Sequence, residues 1–281
     1  MNFFRTSILS LAAVALLTLP AGAAETLRIS STIGPVDAGM LPKLAEVFTQ
    51  KTGIPVTMEK AGTGKTLKKA ESGSFDLVMV HARKLEDAFV AAGFGVDRRD
   101  VMYNDFVFLG PKSDPVGIKG MKKATEAIAK IAAAKAHFIS RGDKSGTHVK
   151  EMDIWAAAGI QPSGDWYEVW EGGSKGNKAT TLYAEEKQAY TLMDRATWLT
   201  LKDTVSLVPL MEADPIMLNL IAIIRVNPEK FPSVHKEEAL KFADWVVSDE
   251  AQMIIRDFGK DKYGQPLFFP NSDQWNAKHP K

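Results

Sequence analysis

Three times along this chain, a short apolar run leads into a polar loop rich in Gly, Ser and Thr, and the loop opens a segment with helical periodicity. The apolar runs cover residues 27–29, 54–58 and 137–139. Strands that alternate with helices are typical of α/β folds with a largely parallel sheet. In such folds, the loops at the carboxyl ends of the strands bind ligands. The pattern therefore predicts an α/β protein whose polar loops form a ligand site.

The third loop has the composition of an anion-binding site. Gly146 lets the backbone approach a ligand closely, and Ser145 and Thr147 offer hydroxyl donors at a helix start. The first N–H groups of a helix lack intrahelical partners, so this end attracts anions. Arg141 adds a planar cation suited to an oxyanion, either by direct contact or by neutralising charge behind it. The alternative is that Asp143 or Ser145 merely caps a surface helix.

The two earlier loops carry the same kinds of donor. Ser31 and Thr32 follow the first strand, and Gly64 and Lys65 lie after the second strand. The second loop reads Gly-Thr-Gly-Lys-Thr, which is similar to the end of a Walker A loop. That motif needs a glycine at the position of Glu59, so we predict no nucleotide site. We expect both loops to present backbone N–H groups and hydroxyls to a ligand, while Lys65 either reinforces an anion site or is solvated.

The first residues predict secretion. Arg5 precedes an apolar run over residues 8–19, which ends at a proline followed by small residues. This is the pattern of a signal peptide over residues 1–24, cleaved near Ala23 or Ala24. The run is shorter than the roughly 20 residues of a membrane-spanning helix, and no later segment of the sequence qualifies. We therefore expect a soluble protein in the periplasm.

The composition excludes several classes of function. The chain has 35 basic and 34 acidic residues, so it has no basic excess for nucleic acid, and it has no cysteine for disulfides. A secreted hydrolase would need a nucleophile with a base or a metal cage, but the sequence contains no Gly-x-Ser-x-Gly or His-Glu-x-x-His motif. A structural adhesion protein would leave the three polar loops unexplained. We predict a binding protein rather than an enzyme, with no cofactor and no metal.

Several strings in the chain resemble those of the tungstate-binding proteins of bacterial ABC importers. Residues 138–148 read Phe-Ile-Ser-Arg-Gly-Asp-Lys-Ser-Gly-Thr-His, and the Arg-x-x-x-Ser-Gly-Thr element within them is also similar to the anion loop of periplasmic phosphate-binding proteins. The strings around Gly62, Arg98 and Tyr190 are similar to the tungstate-binding family as well. The resemblance covers nearly the whole chain after residue 24.

The resemblance implies the type II periplasmic binding protein fold, with two α/β lobes around a ligand cleft joined by two hinge crossings. We expect the crossings near residues 110 and 212. This assigns residues 25–110 and 213–281 to lobe I and residues 111–212 to lobe II. The implied function is that of an extracytoplasmic solute-binding protein, which captures tungstate or molybdate and delivers it to an ABC permease. We expect a monomer.

The resemblance also assigns roles to residues outside the three loops. His81 follows a buried apolar strand, and its match to the family's Val-His-Ala/Asp string implies that it lines the site. Asp194 and Arg195 lie in a string similar to the family's Tyr-Thr-Leu-x-Asp-Arg-x-Thr. We expect these two to support the site from behind the ligand, either by pairing with each other across the cleft floor or with one of them facing the ligand.

Two stretches of the chain depart from the family pattern. The family has Thr-Thr-Thr-Ser in the first loop, whereas Ile33 and Gly34 follow Ser31 and Thr32 here, so two hydroxyls are missing. The family's Asn-Pro-Tyr string becomes Asn219-Leu220-Ile221. These departures leave open a receptor of the same fold for another small ligand, such as an organic carboxylate.

Overall fold

In a computed structural model of the chain, the structure describes residues 25–280, and the predicted signal peptide over residues 1–24 lies outside them. The described part alternates strands and helices, as predicted. Its strands are β1 (Leu27–Thr32), β2 (Val56–Ala61), β3 (Leu77–Val80), β4 (Gly95–Gly110), β5 (Phe138–Ser140), β6 (Tyr167–Val169), β7 (Tyr190–Asp194), β8 (Val208–Met211), β9 (Leu218–Val226) and β10 (Phe269–Pro270). Its α-helices are α1 (Ile33–Asp37), α2 (Met40–Thr52), α3 (Thr63–Ala70), α4 (Arg83–Ala91), α5 (Ala124–Ala133), α6 (Gly146–Ala157), α7 (Asn177–Lys187), α8 (Arg195–Leu201), α9 (Lys236–Val246), α10 (Asp249–Asp257), α11 (Lys260–Tyr263) and α12 (Asp273–Lys278).

The strands lie in the order β2-β1-β3-β9-β4-β7-β5-β6, with β8 and β10 also paired to β4. Strand β1 runs parallel to β2 and β3, and β5 runs parallel to β6 and β7. The lobe I sheet comprises β1, β2, β3 and β9, and the lobe II sheet comprises β5, β6 and β7. Strand β4 is antiparallel to β9 over one part and to β7 over the other. The predicted α/β fold with two lobes is confirmed.

Strand β4 carries the chain from one lobe to the other. It has 16 residues, against five or six in an average strand. Up to Asp105 it pairs with β9, and from Phe106 it pairs with β7. The predicted lobe bounds at residues 110 and 212 remain a prediction, because the change of strand partners marks only one point on the first crossing.

Each lobe has its own hydrophobic core. In lobe I, Phe48 and Phe242 are fully buried and their rings lie 5.0 Å apart. In lobe II, Phe138 and Trp155 are fully buried with rings 5.6 Å apart. Burying a side chain of this size stabilises the fold by about 1.5–3 kcal/mol. Each pair of aromatic rings thus helps to hold its own lobe together.

Arg195 joins the two crossings. Its guanidinium donates to both carboxylate oxygens of Asp105 on β4, at 2.7 and 2.6 Å, and lies 2.7 Å from the carboxylate of Glu212. These acidic partners raise the pKa of Arg195. The expectation that Asp194 and Arg195 pair with each other is wrong, because consecutive residues at the junction of β7 and α8 point in different directions.

Within residues 25–280, no helix is long and apolar enough to span a bilayer.

Candidate ligand-binding site

A small cavity lies between the lobes, at the carboxyl ends of β1, β2, β3, β5 and β7. Its volume is about 30 Å³. A single water needs a cavity of about 10–15 Å³, so this one holds a ligand the size of two or three waters. It is lined by Thr32, Ile33, Gly34, Pro35, Ala61, Gly62, His81, Asn104, Phe106, Arg141, Ser145, Gly146, Thr147, Asn177, Asp194, Asn219 and Phe268.

The start of α6 contributes backbone donors to the cavity, as the sequence predicted for a helix N-terminus. Ser145 precedes the helix and its hydroxyl accepts from the N–H of His148 at 3.4 Å. Asp143 accepts from the N–H of Ser145 at 3.1 Å. The N–H groups of Gly146 and Thr147 are the first two of the helix and have no intrahelical partner. Capping and ligand binding are therefore compatible here, since the caps leave these two donors on the cavity wall.

Arg141 is buried directly behind the helix start, with 4% of its side chain exposed. Its Nε and Nη2 donate to the carbonyl of Gly173, its Nη2 also donates to Asp143 at 2.6 Å, and its Nη1 donates to Asn177. These bonds use one N–H of Nε, one of Nη1 and two of Nη2, so one of the five remains. Burial lowers the pKa of Arg141, but its ordinary value is high enough to keep the cation. Arg141 thus supplies mainly charge, with one N–H available to a ligand.

Asn177 is a site residue that the sequence reasoning missed. Its Oδ1 accepts from Arg141 and from the Thr147 hydroxyl, the latter at 3.1 Å, and its Nδ2 donates to Asp194. The signal in the sequence was a single Asn that ends a glycine-rich loop and begins a helix. A Cβ on Gly173 would lie 1.8 Å from the carbonyl oxygen of Arg141, so only glycine lets this loop pack against Arg141.

Asp194 ends β7 and lies on the cavity wall, with 5% of the residue exposed. It accepts from the N–H and the hydroxyl of Thr197, at 2.8 and 2.6 Å, and so caps α8. Burial raises its pKa, while these donors and the positive charge of Arg141 oppose the rise. Asp194 therefore fixes the orientation of Asn177 and, through it, of Arg141.

The two hydroxyls of the first loop have different roles. Ser31 donates to the carbonyl of Met79 at 3.1 Å and is not among the residues that line the cavity, so its role as a ligand donor stays a prediction. Thr32 lines the cavity, and its buried hydroxyl has no hydrogen-bond partner. The predicted loop after Thr32 is instead the helical turn α1, which accommodates Pro35 because the first turn of a helix needs no N–H bonds.

The second loop contributes through a different residue from those predicted. Gly62 lines the cavity, whereas Gly64 and Lys65 are exposed and lie outside the lining, because α3 begins at Thr63 and turns them toward solvent. The hydroxyl of Thr63 is buried without a partner.

His81 lies on the cavity wall, and its contact with a ligand stays a prediction. It follows β3, and its ring packs against Gly146 of α6, where a Cβ would lie 2.0 Å from the ring Cε1. The neighbouring Asn219 donates to Asn104 at 2.6 Å, and both amides line the cavity. Burial is the main reason that the pKa of His81 is lowered, to about 4. Its imidazole is therefore neutral at neutral pH.

Glu151 on α6 gives a prediction for stability. It is 2% exposed and accepts from Tyr167 at 2.7 Å and from Trp155 at 3.2 Å, and burial raises its pKa to about 7. The folded state thus keeps a proton that the unfolded state releases above about pH 4.5. We expect this contribution to be fully present below pH 4.5 and to fall by ~3 kcal/mol as the pH rises to 7. Urea unfolding at pH 5 and pH 8 should show a smaller pH difference for Glu151→Gln than for the wild type.

The control for this measurement is Glu46→Gln, a substitution at a half-exposed carboxylate. It should leave the pH dependence as in the wild type. An unchanged pH dependence in Glu151→Gln would contradict the assignment.

Comparison with known proteins agrees with this architecture. A family model described as a PBP superfamily domain matches residues 20–250. The tungstate-binding protein TupA of Peptoclostridium acidaminophilum is 41% identical over 87% of this chain and 85% of its own. A structure from Geobacter sulfurreducens, described as the tungstate ABC transporter, shares 47% identity and a TM-score of 0.75 over 83% of this chain and 98% of that one. The structure of TupA from Desulfovibrio alaskensis G20 shares 41% identity and a TM-score of 0.79 over 89% of this chain and all of that one.

Proposed function

Because this chain belongs to the PBP superfamily, and within it to the family of the tungstate-binding proteins, we propose that it is the solute-binding protein of an ABC importer for tungstate or molybdate. The observation that carries the proposal is the cavity between the lobes, which combines a buried cation with unpaired donors. Arg141 supplies the charge, and the Thr32 hydroxyl and the first N–H groups of α6 supply hydrogen bonds. A tetrahedral oxyanion can use all of these at once, because its oxygens point in different directions.

The size of the cavity supports a small anion. Space for two or three waters suits a compact oxyanion, and a peptide or a sugar would need a far larger cavity. Ile33 and Gly34 occupy the place of two family hydroxyls, and both line the cavity. The polar side chains that lobe I still presents on the cavity wall are those of Thr32, His81, Asn104 and Asn219, beside the backbone of Gly62.

The setting of the function follows from the predicted signal peptide and from the relatives. We propose that the mature chain works in the periplasm and passes its ligand to an ABC permease in the membrane. Binding and release require no covalent chemistry, so we propose no enzymatic activity. We also propose that the protein acts as a monomer, since both walls of the cavity come from one chain.

A thermal-shift screen tests the proposal. A ligand that binds only the folded state raises Tm, by an amount that grows with the ratio of its concentration to Kd. The mature protein should shift strongly with tungstate and molybdate, and weakly with sulfate, phosphate and small carboxylates. A shift with a carboxylate alone would show that the altered first loop has changed the ligand.

A pair of substitutions tests the first loop. Thr32→Val removes the unpaired hydroxyl, and since a hydrogen bond to a charged group contributes about 1.5–3 kcal/mol, Kd for the anion should rise about tenfold or more. Ser31→Ala removes a hydroxyl that bonds to Met79, so it should cost ~1 kcal/mol of stability and leave Kd nearly unchanged. Isothermal titration calorimetry with tungstate measures Kd for both variants. The reverse order of effects would mean that Ser31, and not Thr32, contacts the ligand.

A further inference from the structure

His81 lines two cavities. One is the small ligand cavity, and the other is a second cavity of about 430 Å³, which Gly146 and Asn219 also line. The ring belongs to lobe I and packs against Gly146 of lobe II, with no space left for a Cβ. An anion in the small cavity therefore has the imidazole as part of its wall.

The charges around the ligand cavity do not balance a divalent anion. Within the described chain, Arg141 and Asp194 are the ionic residues on the cavity wall, and their charges cancel. Asp143 lies behind Arg141 and pairs with it at 2.6 Å, which adds a further negative charge. A dianion would leave at least two negative charges uncompensated in a buried site. Such a charge is costly unless it is paired and hydrogen-bonded.

We propose that His81 takes up one proton from solvent when a divalent oxyanion enters the cavity, so that its imidazolium becomes a ligand donor. This inference rests on the proposed function of the cavity. The step converts a neutral imidazole and a proton into an imidazolium, and no other bond forms or breaks. The imidazolium carries a positive charge and an N–H on each ring nitrogen. In the neutral ring, one nitrogen carries only a lone pair and cannot donate a hydrogen bond.

The groups that face His81 explain why the ring is neutral before the anion arrives. Burial lowers its pKa to about 4, and the positive charges of Lys150 and Arg141 lower it as well, whereas a hydrogen bond with Asn219 raises it. Asp194 also lines the ligand cavity. The second cavity is lined by charges of both signs: Arg83, Lys84, Arg98 and Lys150 on the positive side, and Glu86, Asp100 and Asp153 on the negative side. One opposite charge within about 4–6 Å shifts a pKa by about 1–3 units, and a dianion brings two.

Protonation of His81 would make the site select ligands by their charge. A dianion favours the imidazolium and so gains a hydrogen-bond donor, while a monoanion attracts the proton half as strongly. Affinity for the dianion should increase as the pH falls, by tenfold per pH unit wherever one full proton is taken up. Monoanions should show a weaker pH dependence.

Calorimetry can count the proton. Titrations of the mature protein with micromolar tungstate, in buffers of different ionisation enthalpy between pH 6.0 and 8.5, give the number of protons taken up per anion bound. For the wild type, this number should approach one at pH 6 and decline as the pH rises. His81→Gln should bind with almost no proton uptake and with a Kd at pH 6 raised about tenfold or more. His137→Gln is the matched control, since His137 pairs with Glu168 away from the cavity.

The possible results separate the two proposals. Tungstate binding without proton uptake at any pH overturns the role of His81. Proton uptake that persists in His81→Gln overturns it as well. Both results leave the proposed function standing. Absence of binding to any oxyanion overturns both proposals. Where His81→Gln binds too weakly to titrate, NMR of the His81 ring in the wild-type complex decides: an imidazolium at pH 6 supports the proposal and a neutral ring overturns it.

Discussion

Arg141→Ala should raise Kd for tungstate about 100-fold or more. The substitution removes the one cation on the wall of a buried site, within the part of the chain that the structure describes. Removing one partner from a buried charge pair costs about 3–5 kcal/mol, and each 1.4 kcal/mol is a factor of ten in affinity. The same change deprives Asp143, Asn177 and the Gly173 carbonyl of a hydrogen-bond donor. The free energy of unfolding should therefore fall by about 3 kcal/mol.

Two further variants separate charge from geometry at this position. Arg141→Lys keeps the charge but cannot reach three acceptors with one ammonium, so its affinity should lie between those of the wild type and Arg141→Ala. Arg256→Ala removes an exposed arginine that pairs with Asp257 on the surface, and it should leave Kd unchanged. Calorimetry measures affinity, and urea unfolding of the free protein measures stability. Wild-type affinity in Arg141→Ala would remove this residue from the site.

Gly146→Ala should oppose closure of the lobes and raise Kd about 5- to 150-fold. A Cβ at this position would lie 2.0 Å from Cε1 and under 3 Å from both nitrogens of His81. Overpacking of this kind costs about 1–3 kcal/mol, and here the overlap arises between lobes. Gly146 has no positive φ, so its backbone accepts alanine without strain. We therefore expect little loss of stability in the unliganded, open protein.

A second substitution tests whether the clash is the cause. His81→Ala combined with Gly146→Ala removes the overlapping ring, so at pH 8.5, where His81 takes up little proton, the double variant should bind better than Gly146→Ala alone. Gly64→Ala is the matched glycine control, because a Cβ there meets no atom within 4 Å. Its Kd should stay within about twofold of the wild type, since the backbone N–H is retained. Calorimetry on all four proteins shows whether the effect follows the His81 contact. Equal affinity of the single and double variants at pH 8.5 would contradict a steric cause.

The residues of the first loop show where sequence reasoning reached its limit. Ser31 and Thr32 are both hydroxyl residues at a strand end, and nothing in their composition separates them. Successive side chains of a strand point in opposite directions, so only one of the two can face the cavity. The pairing of β1 with β3 turns Ser31 to the Met79 carbonyl and leaves Thr32 in the cavity. That choice depends on the register of two strands 48 residues apart.

Asn177 shows a second limit. Its neighbours in the sequence suggest a flexible glycine-rich loop, and its three polar partners are Arg141, Thr147 and Asp194. Those partners lie 36, 30 and 17 residues away in the chain. A hydrogen-bond network of this kind is assembled by packing, and no local spacing encodes it.

The sequence by itself determined the alternation of strands and helices, the α/β class of the fold and the anion-binding character of the loop from Arg141 to Thr147. These follow from local chemistry, because apolar periodicity, glycines and helix-start donors act over a few residues. The tertiary structure alone decided which donors face the cavity, how small the cavity is, and that a neutral His81 closes it against Gly146. These depend on long-range register and on burial, since a side chain's direction and its pKa are set by residues distant in the chain.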